Sequence, residues 1–157
     1  MKQIPVGKDQ FAIVDDQDYE RLVGFKWFFR KGYAVRTEMR NCKTREIRMH
    51  REVLGLQPGD GMEGDHINGN KLDNQRDNLR SCTRAENERN KSLSSRNTSG
   101  FKGVCWNKRD KRWRAKIKVN GRVIALGNFK TPEAAYAAYC KAALELHGEF
   151  ANLGKAA

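Results

Sequence analysis

The sequence has no hydrophobic run long enough to cross a membrane. Its longest run, residues 134–140, is far shorter than the about 20 residues that a helical span needs. The four cysteines form no C-x-x-C pair, so the spacing of a zinc knuckle is missing. The first residues lack the hydrophobic segment of a secretory signal, and we expect a cytoplasmic protein with reduced thiols. Hydrophobic residues make up 38% of the chain, which excludes full disorder.

Acidic residues are nearly missing from one stretch of the chain. Residues 91–130 hold 12 basic residues and a single acid, Asp110, whereas residues 1–90 hold 17 basic and 15 acidic residues. The middle stretch therefore carries +11 of the total net charge of +12. Solvated faces usually mix charges of both signs, so a block of one sign indicates a polyanionic partner. Double-stranded DNA is the leading candidate, and no membrane or obligate protein partner is indicated.

Short elements of both types are predicted before residue 60. A strand at Phe11–Val14 precedes a helix that acidic residues cap and that runs through Leu22. Strands at 32–36 and 46–49 are separated by a turn near Asn41, and a helix at 50–54 ends at Gly55. We therefore expect a mixed α/β N-terminal region.

A polar segment at 61–90 holds the candidate chemistry. An Asn68-Gly69 turn follows Asp65-His66, and Thr83 with Glu86 forms a capping box for a helix that continues to Asn90. Neighbouring strand residues point to opposite faces, so Asp65 and His66 can serve a metal and a water molecule separately.

Oxygen ligands from Asp65 and Asn87 would suit Mg²⁺ or Mn²⁺ if the helix packs on the hairpin. A neutral His66 imidazole can accept a proton from water near neutral pH. The alternative interpretation is a turn-rich polar loop without chemistry, because Asn, Asp and Gly are common turn residues.

The same segment resembles a known enzyme family. The matching residues are Met49-His50-Arg51, then Gly64-Asp65-His66-Ile67-Asn68-Gly69-Asn70-Lys71-Leu72-Asp73-Asn74, then Asn78-Leu79-Arg80-Ser81-Cys82-Thr83, and Asn87. They are similar to the HNH endonucleases of phage and homing type. Asn87 stands where the name of that family expects His. Related homing enzymes also have Asn at this position.

The resemblance implies a ββα-metal fold with His66 as general base, Asp65 and Asn87 as ligands of one divalent cation, and Asn78 as the residue that orients His66. His50 and Arg51 are possible supporting residues; His50 would contact a phosphate, support the site or simply pack. The implied reaction is hydrolysis of DNA to a 5′-phosphate and a 3′-hydroxyl by a homing or mobile-element enzyme, in a bacterium or a phage-infected cell. The rival function is a non-catalytic DNA-binding regulator with an inert nuclease-like domain.

Residues 100–150 show a second, compact pattern. A strand at 101–106 leads to a strand in which Trp113, Ala115, Ile117 and Val119 alternate with basic residues, which is the period of a half-buried strand. Asn120-Gly121 predicts a hairpin into a third strand at 122–126. Thr131-Pro132-Glu133 begins a helix that ends at Gly148, with Ala135, Ala138, Ala142 and Leu146 on one face.

This pattern resembles the ethylene-response-factor (Apetala-type) DNA-binding domain. The matching residues are Ser99-Gly100-Phe101-Lys102-Gly103-Val104, Trp113-Arg114-Ala115-Lys116-Ile117, Leu126-Gly127-Asn128-Phe129, Thr131-Pro132-Glu133-Ala134-Ala135 and Ala138-Tyr139. In that family a three-stranded sheet backed by a helix enters the major groove. Cys105, Asn107 and Lys116 differ from the plant pattern, so the plant target sequence does not transfer.

The candidate DNA contacts follow from the alternation. The leading residues are Arg114, Lys116 and Lys118, which face away from the helix; the secondary, phosphate-binding ones are Lys102, Arg109, Arg112 and Arg122. Trp106 would either stack or pack, and packing in the core is the favoured interpretation. The alternative is a protein-interaction sheet with a solvated basic face.

Together these patterns predict an α+β protein of two parts. An HNH endonuclease domain spans 1–90, with its catalytic motif at about 50–90. A linker at 91–99 leads to the DNA-binding domain at 100–150, and a tail covers 151–157.

Overall fold

The structure is a computed structural model that describes residues 1–90, 93–94 and 97–154. Its contacts divide the chain into two compact units, Met1–Asn87 and Glu88–Ala157. The predicted linker and tail include residues 91–92, 95–96 and 155–157, which lie outside the described residues. Among the described residues, no helix is both long and apolar enough to cross a membrane.

The N-terminal unit is built from three small antiparallel sheets and short helices. Its elements are β1 (Lys2–Pro5), β2 (Phe11–Val14), α1 (Asp16–Val23), β3 (Phe28–Arg30), β4 (Tyr33–Arg40), β5 (Lys43–Arg48), α2 (Met49–Val53), β6 (Met62–His66), β7 (Leu79–Thr83) and α3 (Arg84–Asn90). The sheets are β1–β2, β3–β4–β5 and β6–β7. The boundary between the two units falls within α3.

A hydrophobic core fixes the elements around the β6–β7 hairpin. It includes Ile4 of β1, Leu22 of α1, Met49 and Val53 of α2, and Leu79 of β7, all buried. Burial of side chains of this size contributes about 1.5–3 kcal/mol each as an upper estimate. The core therefore holds α2 against β7, the strand that pairs with the His66 strand β6.

The predicted turn near Asn41 is confirmed, but the strands beside it extend further than predicted. Asn41 and Cys42 adopt φ of 50° and 56°, which is the conformation of a tight two-residue hairpin turn. Strand pairing therefore continues to Arg40 and Lys43. Met49, predicted to end the second strand, instead begins α2 and is fully buried.

The C-terminal unit is a three-stranded antiparallel sheet packed on one helix, as the sequence predicts. Its elements are β8 (Val104–Asn107), β9 (Arg112–Val119), β10 (Arg122–Phe129) and α4 (Pro132–His147), with sheet order β10–β9–β8. Ala115 and Ile117 of β9 are buried, as are Ala135 and Tyr139 of α4. Together with the N-terminal unit, this confirms the α+β fold class.

Two strand predictions in this unit need correction. β8 begins at Val104 rather than at Phe101, because Gly103 has a φ of 74°, outside the β region. β10 continues past Leu126 to Phe129, because a bulge between Ala125 and Gly127 restores the pairing.

The predicted ends of α4 are confirmed. The Thr131 hydroxyl accepts a hydrogen bond from the backbone of Ala134 at 3.2 Å, and Gly148 ends the helix with a φ of 54°. Leu146, however, is 44% exposed. His147 takes its place on the buried face of the last turn, and its Nε2 lies 3.2 Å from the carbonyl oxygen of Lys118.

Candidate functional site

The β6–β7 hairpin sends Asp65 and His66 to opposite faces. Both side chains are buried, with exposed fractions of 6% and 5%. Asp65 lies opposite Arg80 in the register, and His66 lies opposite Leu79. Because neighbouring strand residues alternate, one face of the hairpin carries the carboxylate and the other carries the imidazole.

Asn74 is the residue whose side chain meets the His66 ring. Its Oδ1 lies 3.3 Å from Nε2 of His66, and its Nδ2 donates to the carbonyl oxygen of Leu72 at 3.1 Å. A carbonyl only accepts, so this second bond fixes which end of the amide is which. Oδ1 is then an acceptor, the proton of the imidazole resides on Nε2, and Nδ1 keeps its lone pair.

Long-range pairing holds Asn74 in place, which is why sequence reasoning did not single it out. Its backbone N–H donates to Ile13 of β2 at 2.8 Å, and Ile13 donates to Leu72 at 2.8 Å. The side chain is only 1% exposed. The nearest sequence signal is its position at the end of the matching run 64–74, which does not reveal a partner in β2.

Asn78 stabilises the loop that joins β6 to β7. Its Oδ1 accepts from the backbone of Asn68 at 2.9 Å, and its Nδ2 donates to the carbonyl oxygen of Asp73 at 2.8 Å. Asn78 itself ends a 3-10 turn at Arg76–Asn78. The side chain that sequence reasoning assigned to the His66 ring is thus engaged with the loop backbone, while Asn74 contacts the ring.

The electrostatic surroundings keep His66 neutral. Burial lowers the pKa of His66 below its usual value, and the contact with Asn74 and the nearby Asp65 only partly oppose that shift. A neutral imidazole whose proton is on Nε2 is a form that can accept a proton on Nδ1. The geometry therefore fits a general base at neutral pH.

His50 and Arg51 support the hairpin from α2. The His50 and His66 ring centroids are 4.8 Å apart, and burial lowers the pKa of His50 to about 3. A Cβ on Gly64 would lie 2.5 Å from Cδ2 of His50, so only glycine fits opposite this ring. Arg51 donates to the carbonyl oxygens of Met62 and Gln57 at 2.7 and 2.9 Å.

The two predicted metal ligands, Asp65 and Asn87, belong to the other face of the hairpin and to the helix that lies over that face. Nδ2 of Asn87 donates to Oε2 of Glu63 at 2.6 Å. Glu63 and Asp65 are two residues apart on β6 and so share a face. Asn87 of α3 therefore lies over the face that carries Asp65, and Glu63 is a neighbour that sequence reasoning did not name.

The predicted capping box positions Asn87. The backbone of Thr83 donates to Oε2 of Glu86 at 2.8 Å, and the backbone of Glu86 donates back to the Thr83 hydroxyl at 3.4 Å. These bonds satisfy the first turn of α3. The capping box is confirmed, and it fixes where the helix begins relative to β7.

The donor set suits a hard cation. The bond to Glu63 uses the amide nitrogen of Asn87, so the amide oxygen is the atom of Asn87 that could bind a metal. Within residues 1–90, 93–94 and 97–154, no three His, Cys, Asp or Glu side chains form a metal cluster. A cation here would take two protein oxygens and complete its shell with water and phosphate, as Mg²⁺ does.

Arg80 competes for the same carboxylate. Its Nε and Nη2 lie 3.0 and 2.9 Å from Oδ2 of Asp65. The pair is mostly buried, with side-chain exposures of 14% and 7%. Any cation that bound Asp65 would therefore share the carboxylate with the guanidinium of Arg80.

The basic face of the C-terminal sheet has the predicted alternation. Lys116 and Lys118 are exposed between the buried residues of β9. Arg114 lies on the same face, where its Nε bonds Oδ1 of Asn128 at 3.3 Å and its Nη2 is 3.6 Å from Asp110. Arg112 is two residues from Arg114 and shares this face.

The remaining predicted contacts lie elsewhere in this unit. Arg109 is exposed and bonds its neighbour Asp110 at 3.1 Å. Arg122 pairs with Val119 in the register, so it lies on the helix side of the sheet. Lys102 donates to the carbonyl oxygen of Arg89 at 2.8 Å, and burial lowers the pKa of Lys102 to about 8.

Trp106 corrects another expectation. It is 44% exposed, so it does not belong to the core. Its ring meets the Trp113 ring edge-on, with centroids 5.1 Å apart, because the two residues are cross-strand partners.

Comparison with known proteins assigns a family to each part. The HNH endonuclease family model matches residues 48–89, and the AP2 domain model matches residues 99–149. The chain is 34% identical over 150 residues to an uncharacterised HNH endonuclease of Acanthamoeba polyphaga mimivirus, covering 95% of this chain and 77% of that protein. It is 37% identical over 90 residues to Protein 3.8 of Escherichia phage T7, covering 56% of this chain and 72% of that protein. No solved structure matches.

Proposed function

The chain belongs to the HNH endonuclease family and carries an AP2 domain, and on that premise we propose that it is a divalent-metal-dependent DNA endonuclease. The AP2 sheet would supply affinity and targeting through Arg114, Lys116 and Lys118. The observation that carries the proposal is the buried His66, whose Nε2 meets Asn74 while Nδ1 keeps its lone pair. Relatives in a virus and a phage support a homing or mobile-element gene.

The proposed reaction is hydrolysis of a phosphodiester bond. His66 takes a proton from water on Nδ1 while the water oxygen attacks phosphorus. The bond from phosphorus to the 3′ oxygen breaks, which leaves a 5′-phosphate and a 3′-hydroxyl that takes its proton from solvent. A bound cation would stabilise the charge that develops on the leaving oxygen. Asp65 and Asn87 would hold it, and Asn74 would hold the imidazole in the productive tautomer.

A plasmid assay tests the proposal. The full chain should nick or cut supercoiled plasmid with Mg²⁺ or Mn²⁺ and should stop when a chelator is added. His66→Ala should lower the rate about 10²-fold or more, the scale of a lost general base, with little change in DNA affinity. Asp65→Ala should abolish cutting at ordinary metal concentrations. His147→Ala removes a histidine of the other unit and serves as the matched control.

The Arg80–Asp65 pair favours a second candidate function. A guanidinium on the metal-ligand carboxylate is also what an inert, non-catalytic DNA-binding regulator would show. The same assay separates the two functions. If the full chain binds plasmid but leaves it intact with both Mg²⁺ and Mn²⁺, the regulator function is correct. If the parent and His66→Ala cut at equal rates, His66 is not the general base.

A further inference from the structure

The Tyr33 ring, which lies near His66, contacts two cationic side chains. The Tyr33 ring lies with its centroid 4.5 Å from Nζ of Lys71 and 4.7 Å from Cζ of Arg48. The same ring is 6.1 Å from the His66 ring and 5.3 Å from the His50 ring, between centroids. The sequence predicts no role for Tyr33, Arg48 or Lys71, which come from β4, β5 and the loop after β6.

Sheet register explains how Arg48 reaches this ring. Arg48 of β5 pairs with Val35 of β4, and Val35 is two residues from Tyr33. Arg48 and Tyr33 are therefore diagonal neighbours on one face of the sheet. β5 runs directly into α2, which carries His50, so the arginine is tied by the chain to the wall of the candidate active site.

Close packing explains how Lys71 reaches it. A Cβ on Gly32 would lie 3.1 Å from Cδ of Lys71, and Gly32 has a φ of 89° that glycine adopts readily. The turn before β4 thus leaves room for the lysine stem to lie against it. The direction of the Lys71 side chain follows from this packing and from the aromatic ring.

The charges of these two side chains are not neutralised within the described chain. In residues 1–90, 93–94 and 97–154, neither Arg48 nor Lys71 has a carboxylate within ion-pair distance, whereas Arg36 on β4 pairs with Glu52 at 2.9 Å. Two like charges near one ring repel each other, and an anion bound between them would offset that repulsion. Cation–π contact offsets part of that cost and holds both cationic groups against the same ring, at 4.5 and 4.7 Å from its centroid.

We propose that Tyr33, Arg48 and Lys71 form a phosphate clamp that holds the DNA backbone at the bond facing His66. This inference rests on the proposed nuclease function and adds its substrate-positioning site. The ligand is a DNA phosphodiester, which the two cations beside the Tyr33 ring would recognise through charge-assisted hydrogen bonds. The Tyr33 ring acts as the platform, and its hydroxyl is not needed.

Alanine variants of the full chain test the clamp through two readouts. Arg48→Ala and Lys71→Ala should each lower the single-turnover cleavage rate by about 10- to 100-fold, the scale of losing one positioned donor near a reacting phosphate. Each should also flatten the dependence of log affinity on log salt by about 0.9, one phosphate contact. Lys8→Ala, an exposed lysine in the β1–β2 loop, should change neither quantity.

A pair of Tyr33 variants tests the platform separately from folding. Tyr33→Leu should lose rate as the cation variants do, and Tyr33→Phe, which keeps the ring, should lose less rate than Tyr33→Leu. Cleavage and salt slopes of Arg48→Ala and Lys71→Ala that match those of Lys8→Ala would overturn the clamp. A parent that binds DNA but does not cut it would overturn the nuclease proposal, while the salt slopes would still decide whether the clamp binds phosphate.

Discussion

Asn74 decides which nitrogen of His66 carries the proton. Its amide is oriented by Leu72, and its oxygen faces Nε2 of the imidazole at 3.3 Å. An acceptor at this position selects the tautomer with the proton on Nε2. The asparagine that contacts the His66 ring is thus Asn74, whereas the sequence resemblance implies that role for Asn78.

Substitution of Asn74 should change the tautomer of His66. In the parent, ¹⁵N spectra of the imidazole should show the Nε2–H form, and Asn74→Ala should shift the population toward Nδ1–H. The cleavage rate should fall about 10-fold or more with DNA affinity unchanged, because orientation of the base is lost.

Asn78→Ala is the matched control for Asn74→Ala. It removes another buried asparagine, whose bonds go to the loop backbone at Asn68 and Asp73. Both variants should lose about 1–3 kcal/mol of the free energy of unfolding, the cost of unmet hydrogen bonds. A tautomer shift in Asn78→Ala but not in Asn74→Ala would contradict the assignment made from the structure.

The residues of the candidate site differ in how predictable they were. Asp65, His66 and Asn87 stand in a motif whose spacing could be recognised without coordinates. Asn74 and Tyr33 could not be found that way, because their contacts depend on the pairing of β2 with the loop and on the approach of β4 to α2. Neither contact leaves a local pattern in the sequence.

At the scale of elements, α1 fastens the loop that carries the site. Arg76 binds Asp18 through Nε and Nη2 at 2.7 and 2.9 Å, and Arg21 binds the same carboxylate at 2.6 Å. The backbone of Arg76 also donates to Asp15 at 2.8 Å. One buried carboxylate of a short helix therefore anchors the 3-10 turn that contains Asn78.

This anchor should make the N-terminal unit sensitive to acid. The hydrogen bonds from Arg76 and Arg21 hold the pKa of Asp18 below its usual range. A carboxyl group with a lowered folded pKa stabilises the fold above its unfolded pKa of about 3.9 and loses that contribution as pH falls through the folded pKa. Urea unfolding of the full chain should therefore show a steep loss of stability below about pH 4.

Asp18→Asn measures the size of that effect. The variant should lose about 2 kcal/mol of the free energy of unfolding at pH 7, since the carboxylate is buried but its arginine partners are half-exposed. It should also lose less stability than the parent between pH 5 and pH 3. Asp9→Asn removes an exposed carboxylate as a control, and an equal acid dependence in the parent and Asp18→Asn would exclude this role.

Elements with a strong local pattern were the predictable ones. The alternation of β9, the Asn120-Gly121 turn and the cap at Thr131 are visible in the sequence and present in the structure. The late start of β8 and the extension of β10 depend on a glycine conformation and a bulge. The alternation of residues and the turn residues do not reveal where β8 begins or where β10 ends, since both limits depend on pairing with β9.

For the whole molecule, charge separates the two proposed tasks. Residues 1–90 are almost balanced, and residues 91–130 carry a net charge of +11. The candidate site for chemistry lies in the first compact unit and the basic sheet in the second. We therefore expect affinity and chemistry to be separable by truncation.

The outward basic residues of β9 offer a test of what the sheet reads. If Arg114 and Lys116 contact base edges, their alanine variants should weaken preferred DNA sites more than random DNA. If they touch phosphate only, both kinds of DNA should be weakened equally. Lys141→Ala on α4 is an exposed control, because this lysine is not on the sheet.

Truncation after residue 91 should separate the two tasks in one experiment. Each neutralised phosphate contributes about −0.9 to the slope of log affinity against log salt, so losing four to six contacts should flatten the slope by roughly 4 to 5. The truncated chain keeps Asp65, His66, Asn74 and Asn87, and should still nick plasmid weakly at high protein and low salt, with relaxed site choice. The measurement is binding to one duplex at several salt concentrations for both chains. An unchanged slope would mean that the basic sheet is not the DNA anchor, whereas a flattened slope with His66-dependent nicking would place affinity in one unit and chemistry in the other.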